Sequence, residues 1–326
     1  MAAIRPANFN SFVGQRKTCS QLGVSISAAQ RRGEPLDHCL FSGPAGLGKT
    51  TLCNIINDAM GGRFFTTNGG VMRKPSDLIG TLVRLEIGDY LFIDEIHRIP
   101  MVVEECLYTA MEDFYIDSMA SNGTAVRLDL NHFTIIGATT REGMLTKPLL
   151  DRFGITCRLE LYPPSDLVTI VMSAAQNRKH PIRLTQEAAR YLAERARGTP
   201  RLVLKLLDRA NDYVVWAPML SEKGIGGVDL GLLDLGVAEV AMKALSITEF
   251  GLTPTDVSVL RALAICSRPL GLATLAVVAN EAKDTIEEVL EPHMIRLGLI
   301  DRTAKGRVIT DAGKQYLQRL DTPKDD

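Results

Sequence analysis

The chain has 326 residues, of which 46% are apolar and 23% charged. That is the balance of a globular protein with sizeable cores, and the length suits two or three domains. A formal net charge of −1 excludes a uniformly basic nucleic-acid coat but allows a local basic patch. The cysteines at 19, 39, 53, 106, 157 and 266 form no CxxC pair, so zinc and redox motifs find no support, and scattered thiols fit a reducing cytoplasm. No apolar signal core opens the chain and no 18-residue apolar run crosses it, so no membrane partner is expected.

The first periodic segment runs from Lys17 to Arg31, an amphipathic helix with Leu22, Ile26 and Ala29 on one face. "HCLFSG" is a short apolar run ending in glycine and reads as a buried strand. "TTLCNIINDAM" is helical, "DYLFIDEI" is a second buried strand ending in acids, and "VVEECLYTAMEDF" is helical again. "HFTIIGATT" and "TCRLELY" complete the strands. Buried strands alternating with helices predict a parallel α/β sheet. "SDLVTIVMSAAQ" begins with Ser165 and Asp166 in N-cap position. From there to residue 245 the pattern is helical and the strands stop, apart from the glycine-rich interruption in 216–236. From "FGLTPTDVSVLRAL" onward there are three short helical segments, then "LIDRTAKGRVIT", a β-hairpin, in the order of a winged helix. The predicted domains are 1–163, 164–246 and 247–326.

"GPAGLGKTT", residues 43–51, fulfils G-x-x-x-x-G-K-[ST] between a predicted strand and a predicted helix. Its glycines let backbone amides curl around phosphate oxygens, and the helix start adds positive potential. Lys49 reaches the β- and γ-phosphates, and the Thr50 hydroxyl suits Mg²⁺. Asp94 and Glu95 end the second strand, at the side where such sheets bind ligands. Asp94 suits a metal-holding role and Glu95 the polarising of the attacking water. The next strand ends in Thr139 and Thr140, either of which can sense the γ-phosphate; the pattern does not choose between them. "PLLDRFGI" sets Arg152 between an aspartate and an aromatic ring, and taken alone it reads as a core loop whose arginine pairs with Asp151.

Taken together, "RPANFNSFVGQ", "GPAGLGKTTL", "LFIDEIHR", "VVEECLYTAMEDF", "IIGATTREGML", "LLDRFGI", "RARGTPR", "TIEEVLEP" and "DRTAKGR" resemble, in order, the RuvB family of Holliday-junction branch-migration AAA+ ATPases. The resemblance covers nearly the whole chain. It implies an AAA+ P-loop sheet domain, a small helical lid and a C-terminal winged helix. It also implies hexameric rings that pull duplex or four-way-junction DNA using ATP and Mg²⁺. Carried over by position, Ile4 and Arg5 line the base end of the nucleotide. Gly46, Gly48, Lys49, Thr50 and Thr51 hold phosphates and metal. Glu112, Asp113 and Phe114 lie at the nucleotide site, Tyr162 packs near it, and Arg201 is the lid's sensor arginine. Arg152 becomes an arginine finger that serves the ATP of the next subunit. Arg302 and Arg307 become DNA contacts, and the six Lys/Arg against two Asp between Arg296 and Arg319 agree with that.

Two regions depart from the family pattern. "YIDSMASNGTAVRLDL" stands where a hairpin docks a RuvA-type partner, yet it is shortened and polar, with Ser118, Ser121 and Asn122 near its tip and Ile116 and Met119 as its sizeable apolar residues. A docking hairpin needs an apolar anchor, so this one either binds no such partner or binds a different one. The 216–236 segment is longer and richer in glycine than the family's, without a functional explanation. Ala45 replaces the usual second proline of the phosphate loop, at a position whose side chain takes no part in the chemistry. The alternatives are another AAA+ DNA machine of clamp-loader or initiator type, and a nucleotide-switched DNA-binding regulator. Clamp loaders lack a basic wing, and an intact Glu95 with Arg152 argues against a passive switch.

Overall fold

The computed structural model describes residues 6–119, 125–216, 231–266 and 268–322. The expected nucleotide residues Ile4 and Arg5, the hairpin residues Ser121 and Asn122, and most of the glycine-rich 216–236 segment fall outside them. The chain forms two compact units, Met1–Pro181 with Gly198–Leu204, and Ile182–Arg197 with Lys205–Asp326.

The first unit is built on a five-stranded parallel sheet in the order β2-β3-β6-β1-β7: β1 (Cys39–Ser42), β2 (Phe64–Asn68), β3 (Tyr90–Asp94), β6 (Thr134–Thr139) and β7 (Ile155–Arg158), with β4 (Tyr115–Met119) and β5 (Ala125–Asp129) pairing as a separate hairpin. The three central strands are buried almost throughout, as continuous apolar runs covered on both faces should be. Register pairs Ser42 with Thr139 and Ile93 with Gly137. The carboxyl ends of β1, β3 and β6 therefore lie at one edge of the sheet. The amphipathic helix is α1 (Arg16–Arg32) and buries Thr18, Leu22, Ile26 and Ala29. The phosphate-loop helix is α2 (Lys49–Met60), followed by α3 (Pro75–Leu82) and α4 (Met101–Glu112). Leu78, Leu82, Val103, Leu107 and Met111 join Leu91, Ile93 and Ile135 in one core.

Three details differ from the sequence expectation. Strand β2 is an edge strand of half-exposed residues, so "FFTTN" carries neither an apolar run nor clean alternation. Helix α6 (Pro164–Gln176) starts one residue before Ser165, capped by no side chain; Pro164 opens it with a preset φ, and Ser165 and Asp166 lie in its first turn rather than at its cap. Strands also continue beyond residue 165, since Arg183–Leu184 pairs in parallel with Leu232–Leu233.

In the second unit, helices Pro254–Ile265, Leu272–Val278 and Glu291–Arg296 precede the hairpin Ile300–Thr303/Gly306–Ile309, and Asp311–Asp321 closes the core with Tyr316 and Leu317. Arg197 donates to both Asp256 carboxylate oxygens, at 3.3 and 2.5 Å, and to Gly251 O. Next to this pair, His293 Nε2 donates to Phe250 O at 2.8 Å, and its Nδ1 accepts from Arg296 at 2.7 Å. Burial lowers the His293 pKa from 6.5 to about 4, assisted by the cations Arg197 and Arg296 and opposed by Asp256 and the Phe250 carbonyl. The folded state thus favours neutral imidazole. Its contribution is complete above pH ~6.5 and is lost as pH falls toward 4. Wild type should lose about 2 kcal/mol between pH 7 and 5 that a His293→Gln variant does not. Denaturant unfolding of both proteins at the two pH values measures this, and parallel pH dependence would contradict it.

Candidate functional site

The phosphate loop leaves β1 at Ser42 and enters α2 at Lys49. Gly46 has φ +83°, and a Cβ there would stand 2.9 Å from Arg201 Cβ and 2.8 Å from Thr199 Cγ2. Only glycine allows both that conformation and so close an approach. Arg201 is exposed and its amide donates to Gly46 O at 3.3 Å, which puts the arginine beside the loop. Gly48, at φ +103°, stands directly before the first helical residue. Tyr162 is buried beneath the loop, and its hydroxyl donates to Leu47 O at 3.1 Å. Lys49 Nζ donates to Gly43 O at 2.6 Å and to Pro44 O at 3.0 Å. Burial lowers its pKa, while Glu95 and Asp94 pull the other way. Thr50 and Thr51 occupy the first turn of α2.

Asp94 is the last residue of β3, and its Oδ1 accepts the Glu95 amide at 3.0 Å. Glu95 stands at φ 48°, ψ 48°, a left-handed conformation that a non-glycine residue takes at a cost of order 1–3 kcal/mol. The tight turn throws its carboxylate back toward the loop following β6. There the Thr140 hydroxyl donates to Glu95 Oε2 at 3.1 Å. Thr139 is fully buried, accepts the Arg141 amide at 2.9 Å, and stands 2.9 Å from His97 Nδ1. The two threonines thus differ: Thr140 bonds Glu95 directly, whereas Thr139 bonds His97, which stands 3.2 Å from the same carboxylate.

Arg152 lies elsewhere. It follows the short helix Lys147–Leu150 and precedes Ile155, the first residue of β7, at the amino edge of the sheet. Its Nη2 bonds Glu112 at 2.7 Å, Nε donates to Tyr108 O at 3.2 Å, and Nη1 to Pro148 O at 2.8 Å, with the guanidinium 4.7 Å from the Tyr108 ring centre. The pairing with Asp151 expected of an isolated core loop is replaced by Glu112, because α4 ends beside this loop. Glu112, Asp113 and Phe114 therefore do not reach this chain's own phosphate loop. Phe114 packs on His132, 4.1 Å between ring centres, and near His38, which precedes β1. That is the sheet edge opposite the phosphate loop.

Residues 4–159, 162–220 and 249–318 match, respectively, the Holliday junction DNA helicase RuvB P-loop domain, the RuvB AAA lid domain and the RuvB C-terminal winged helix domain. The Holliday junction branch migration complex subunit RuvB of Paramagnetospirillum magneticum is 43% identical, over 99% of this chain and 90% of its own. The chain belongs to the RuvB family. The corresponding subunit of Chlorobaculum tepidum is 46% identical over 94% of this chain and 87% of its own. The solved Thermotoga maritima RuvB Holliday junction branch migration motor superposes with a TM-score of 0.84 at 35% identity, covering 96% of this chain and 98% of that one. This RuvB-family chain accordingly combines a P-loop sheet domain, an AAA lid and a winged helix.

The wing of this RuvB-family chain departs from the sequence expectation. Arg302 and Arg307 face each other across the hairpin. Arg302 is exposed and bonds Glu287 at 2.9 Å. Arg307 is only 7% exposed, and its Nε and Nη2 both bond Glu291 Oε2, at 3.0 and 2.9 Å. It is a buried ion-pair residue rather than a surface cation, because the π-helical turn Ile286–Leu290 directly before Glu291 brings that acid under the hairpin. Lys305, one of the six Lys/Arg between Arg296 and Arg319, stands exposed at the hairpin turn.

The hairpin after α4 also differs. Strands Tyr115–Met119 and Ala125–Asp129 pair, with Arg127 bonded to Asp117 at 3.0 Å and its guanidinium 3.8 Å over the Tyr115 ring. Ile116, expected as an anchor, is buried in the sheet domain's core, whereas Val126 is exposed. The Ser118 and Met119 side chains lie outside the described residues. No described helix is long and apolar enough to cross a membrane.

Proposed function

We propose that this chain is the ATP-hydrolysing motor of a branch-migration machine, a helicase-type translocase acting on four-way-junction and duplex DNA as a hexameric ring in the cytoplasm. One observation carries the assembly: Lys49, Asp94, Glu95 and Thr140 gather at one edge of the sheet, while Arg152 stands at the other. A hydrolytic site complete but for its cationic finger, with the finger on the far edge, is completed by a second subunit. Glu112, Asp113 and Phe114 stand with Arg152, so this reading assigns them to the neighbour's nucleotide. We keep the division into 1–163, 164–246 and 247–326 as functional modules, with the lid's Arg201 reporting nucleotide state.

Within a subunit, the amides of Gly46, Gly48 and Lys49 cradle phosphate oxygens, and the Lys49 ammonium exchanges its loop carbonyls for the β- and γ-phosphates. Among the described residues, no three His, Cys, Asp or Glu cluster as a metal site. That suits Mg²⁺ bound to a P-loop, which takes a hydroxyl, a carboxylate through water, and the nucleotide's own oxygens. Thr50 and Asp94 offer such a set, and the ion would neutralise charge on the phosphates. Glu95 draws the proton of a water whose oxygen attacks the γ-phosphorus as the bond to the ADP oxygen breaks. Thr140 is assigned as the sensor because its hydroxyl touches Glu95, while Thr139 is buried behind it. Tyr162 supports the loop from below. A RuvA-type partner would meet a hairpin with Val126 outward and an Arg127–Asp117 pair, which is a more polar surface than an apolar anchor.

Glu95→Gln tests the chemistry. It should bind ATP normally and hydrolyse it about 10²-fold more slowly, the scale of a lost general base. DNA-stimulated phosphate release measures this, and normal turnover would remove Glu95 from its role. Branch migration on a synthetic four-way junction tests the substrate, with duplex translocation against clamp opening as the contrast to a clamp-loader-type machine.

A further inference from the structure

We propose that His97 is a positioning residue for Glu95, fixing the carboxylate so that a single oxygen is left for the attacking water. The proposal rests on the reading of Glu95 as the residue that polarises that water. His97 Nδ1 lies 3.2 Å from Glu95 Oε2, and its side chain is 8% exposed. The same Oε2 accepts the Thr140 hydroxyl at 3.1 Å. Among the described residues, Oε1 has no such partner.

The tautomer follows from the neighbours. With the proton on Nε2, the Nδ1 lone pair would face a carboxylate oxygen at 3.2 Å, which is repulsive. With the proton on Nδ1, the N–H bonds Thr139 Oγ1 at 2.9 Å and presents its positive end 3.2 Å from Glu95 Oε2, an electrostatic contact. Burial keeps the ring neutral by lowering its pKa, with Arg141 and Arg98 acting the same way and Glu95 and Asp94 against it. A neutral imidazole orients the carboxylate without placing a cation against it.

The arrangement also gives both hydroxyls at the end of β6 a route to the catalytic acid. Thr140 bonds Glu95 itself, and Thr139 bonds the imidazole that stands against it. Because Thr139 is tied to the Arg141 amide as well, the loop after β6 and the Glu95 carboxylate move as one piece. A shift of β6 when the γ-phosphate leaves is then felt at Glu95 through two links.

Three substitutions of the full chain separate this from a packing role. His97→Asn keeps an N–H where Nδ1 sits, His97→Gln places one where Nε2 sits, and His97→Ala removes both. Steady-state ATP hydrolysis with DNA gives kcat, and a fluorescent ATP analogue gives affinity. Ala and Gln should lose about 10²-fold in kcat, the cost of misplacing a catalytic group by about 1 Å, with affinity within about twofold and Asn close to wild type. Wild-type kcat in His97→Ala, equal losses in Asn and Gln, or affinity falling together with kcat would each overturn the proposal. If His97→Ala does not fold, the Asn–Gln contrast decides alone. Glu95→Gln, assayed alongside, keeps the failures apart. Its normal turnover would remove the Glu95 reading and this proposal with it, whereas an inactive Glu95→Gln with a fully active His97→Ala removes only the role of His97.

Discussion

Arg152→Ala subunits are expected to bind ATP normally, to hydrolyse it at least ~10³-fold more slowly when alone, and to silence mixed rings far beyond their share. The size follows from trans-acting arginine fingers, which contribute ~10³–10⁵ in related phosphoryl transfers. The location follows from the fold: Arg152 precedes β7 at the amino edge of a parallel sheet whose phosphate loop leaves the carboxyl edge of β1. No rotamer change carries a side chain across the sheet, so the proposed finger would serve the phosphate of another copy. Glu112, Tyr108 O and Pro148 O hold the guanidinium in one orientation, leaving its side chain 24% exposed, which limits the ordering needed when a neighbour's nucleotide arrives. Mixing wild-type and Arg152→Ala protein at stepped ratios and following branch migration on a four-way junction gives the answer. Activity falling in simple proportion to wild-type content would place the arginine's role within its own subunit. Activity falling more steeply supports a shared site.

The phosphate loop, the acids ending β3 and the hydroxyls ending β6 were legible because each is a short signal fixed to a strand end, and a parallel sheet brings strand ends together whatever lies between them. Arg152 was recognisable as a motif, but its partner was not. Asp151 is adjacent in sequence and Glu112 is 40 residues away, and only the packing of α4 beside the loop decides between them. Strand β2 was missed for a related reason: an edge strand with half-exposed threonines carries no apolar pattern to read. The choice between Thr139 and Thr140 needed burial, which two adjacent identical residues do not reveal. Ile116 shows the limit from the other side. It is an apolar candidate of the hairpin's first strand, and the sheet domain's core covers it, while Val126, on the same face but nearer the turn, stays exposed.

The wing is where the local pattern misled most, and there the expected effect on stability is largest. Arg307→Ala should cost the winged-helix unit about 3–5 kcal/mol, because it leaves Glu291, 2% exposed, as a buried charge without its partner. Glu291 Oε2 takes both bonds from Arg307, while its Oε1 is buried with no hydrogen-bond donor. The strand itself is held on both sides: the Arg307 amide and carbonyl bond Leu270 at 2.8 and 2.9 Å while its cross-strand neighbour is Arg302. Replacing the pair together, as Arg307→Met with Glu291→Leu, should recover most of the loss, since apolar residues of similar volume commonly substitute for a buried ion pair. Arg302→Ala should behave oppositely. Its bond to Glu287 is at the surface and its Nε stands 3.9 Å from Glu291 Oε1, beyond hydrogen-bond range, so stability should change by about 1 kcal/mol, while DNA affinity falls and the salt slope drops by about one. Denaturant unfolding and DNA-binding titrations at several salt concentrations, run on the same set of variants, separate the two arginines. A stable Arg307→Ala protein that loses only DNA binding would mean that the guanidinium leaves Glu291 to meet phosphate. A destabilised one, rescued by the apolar pair, means that the two arginines facing each other across this hairpin divide the work, with Arg307 building the wing and Arg302 presenting charge to DNA.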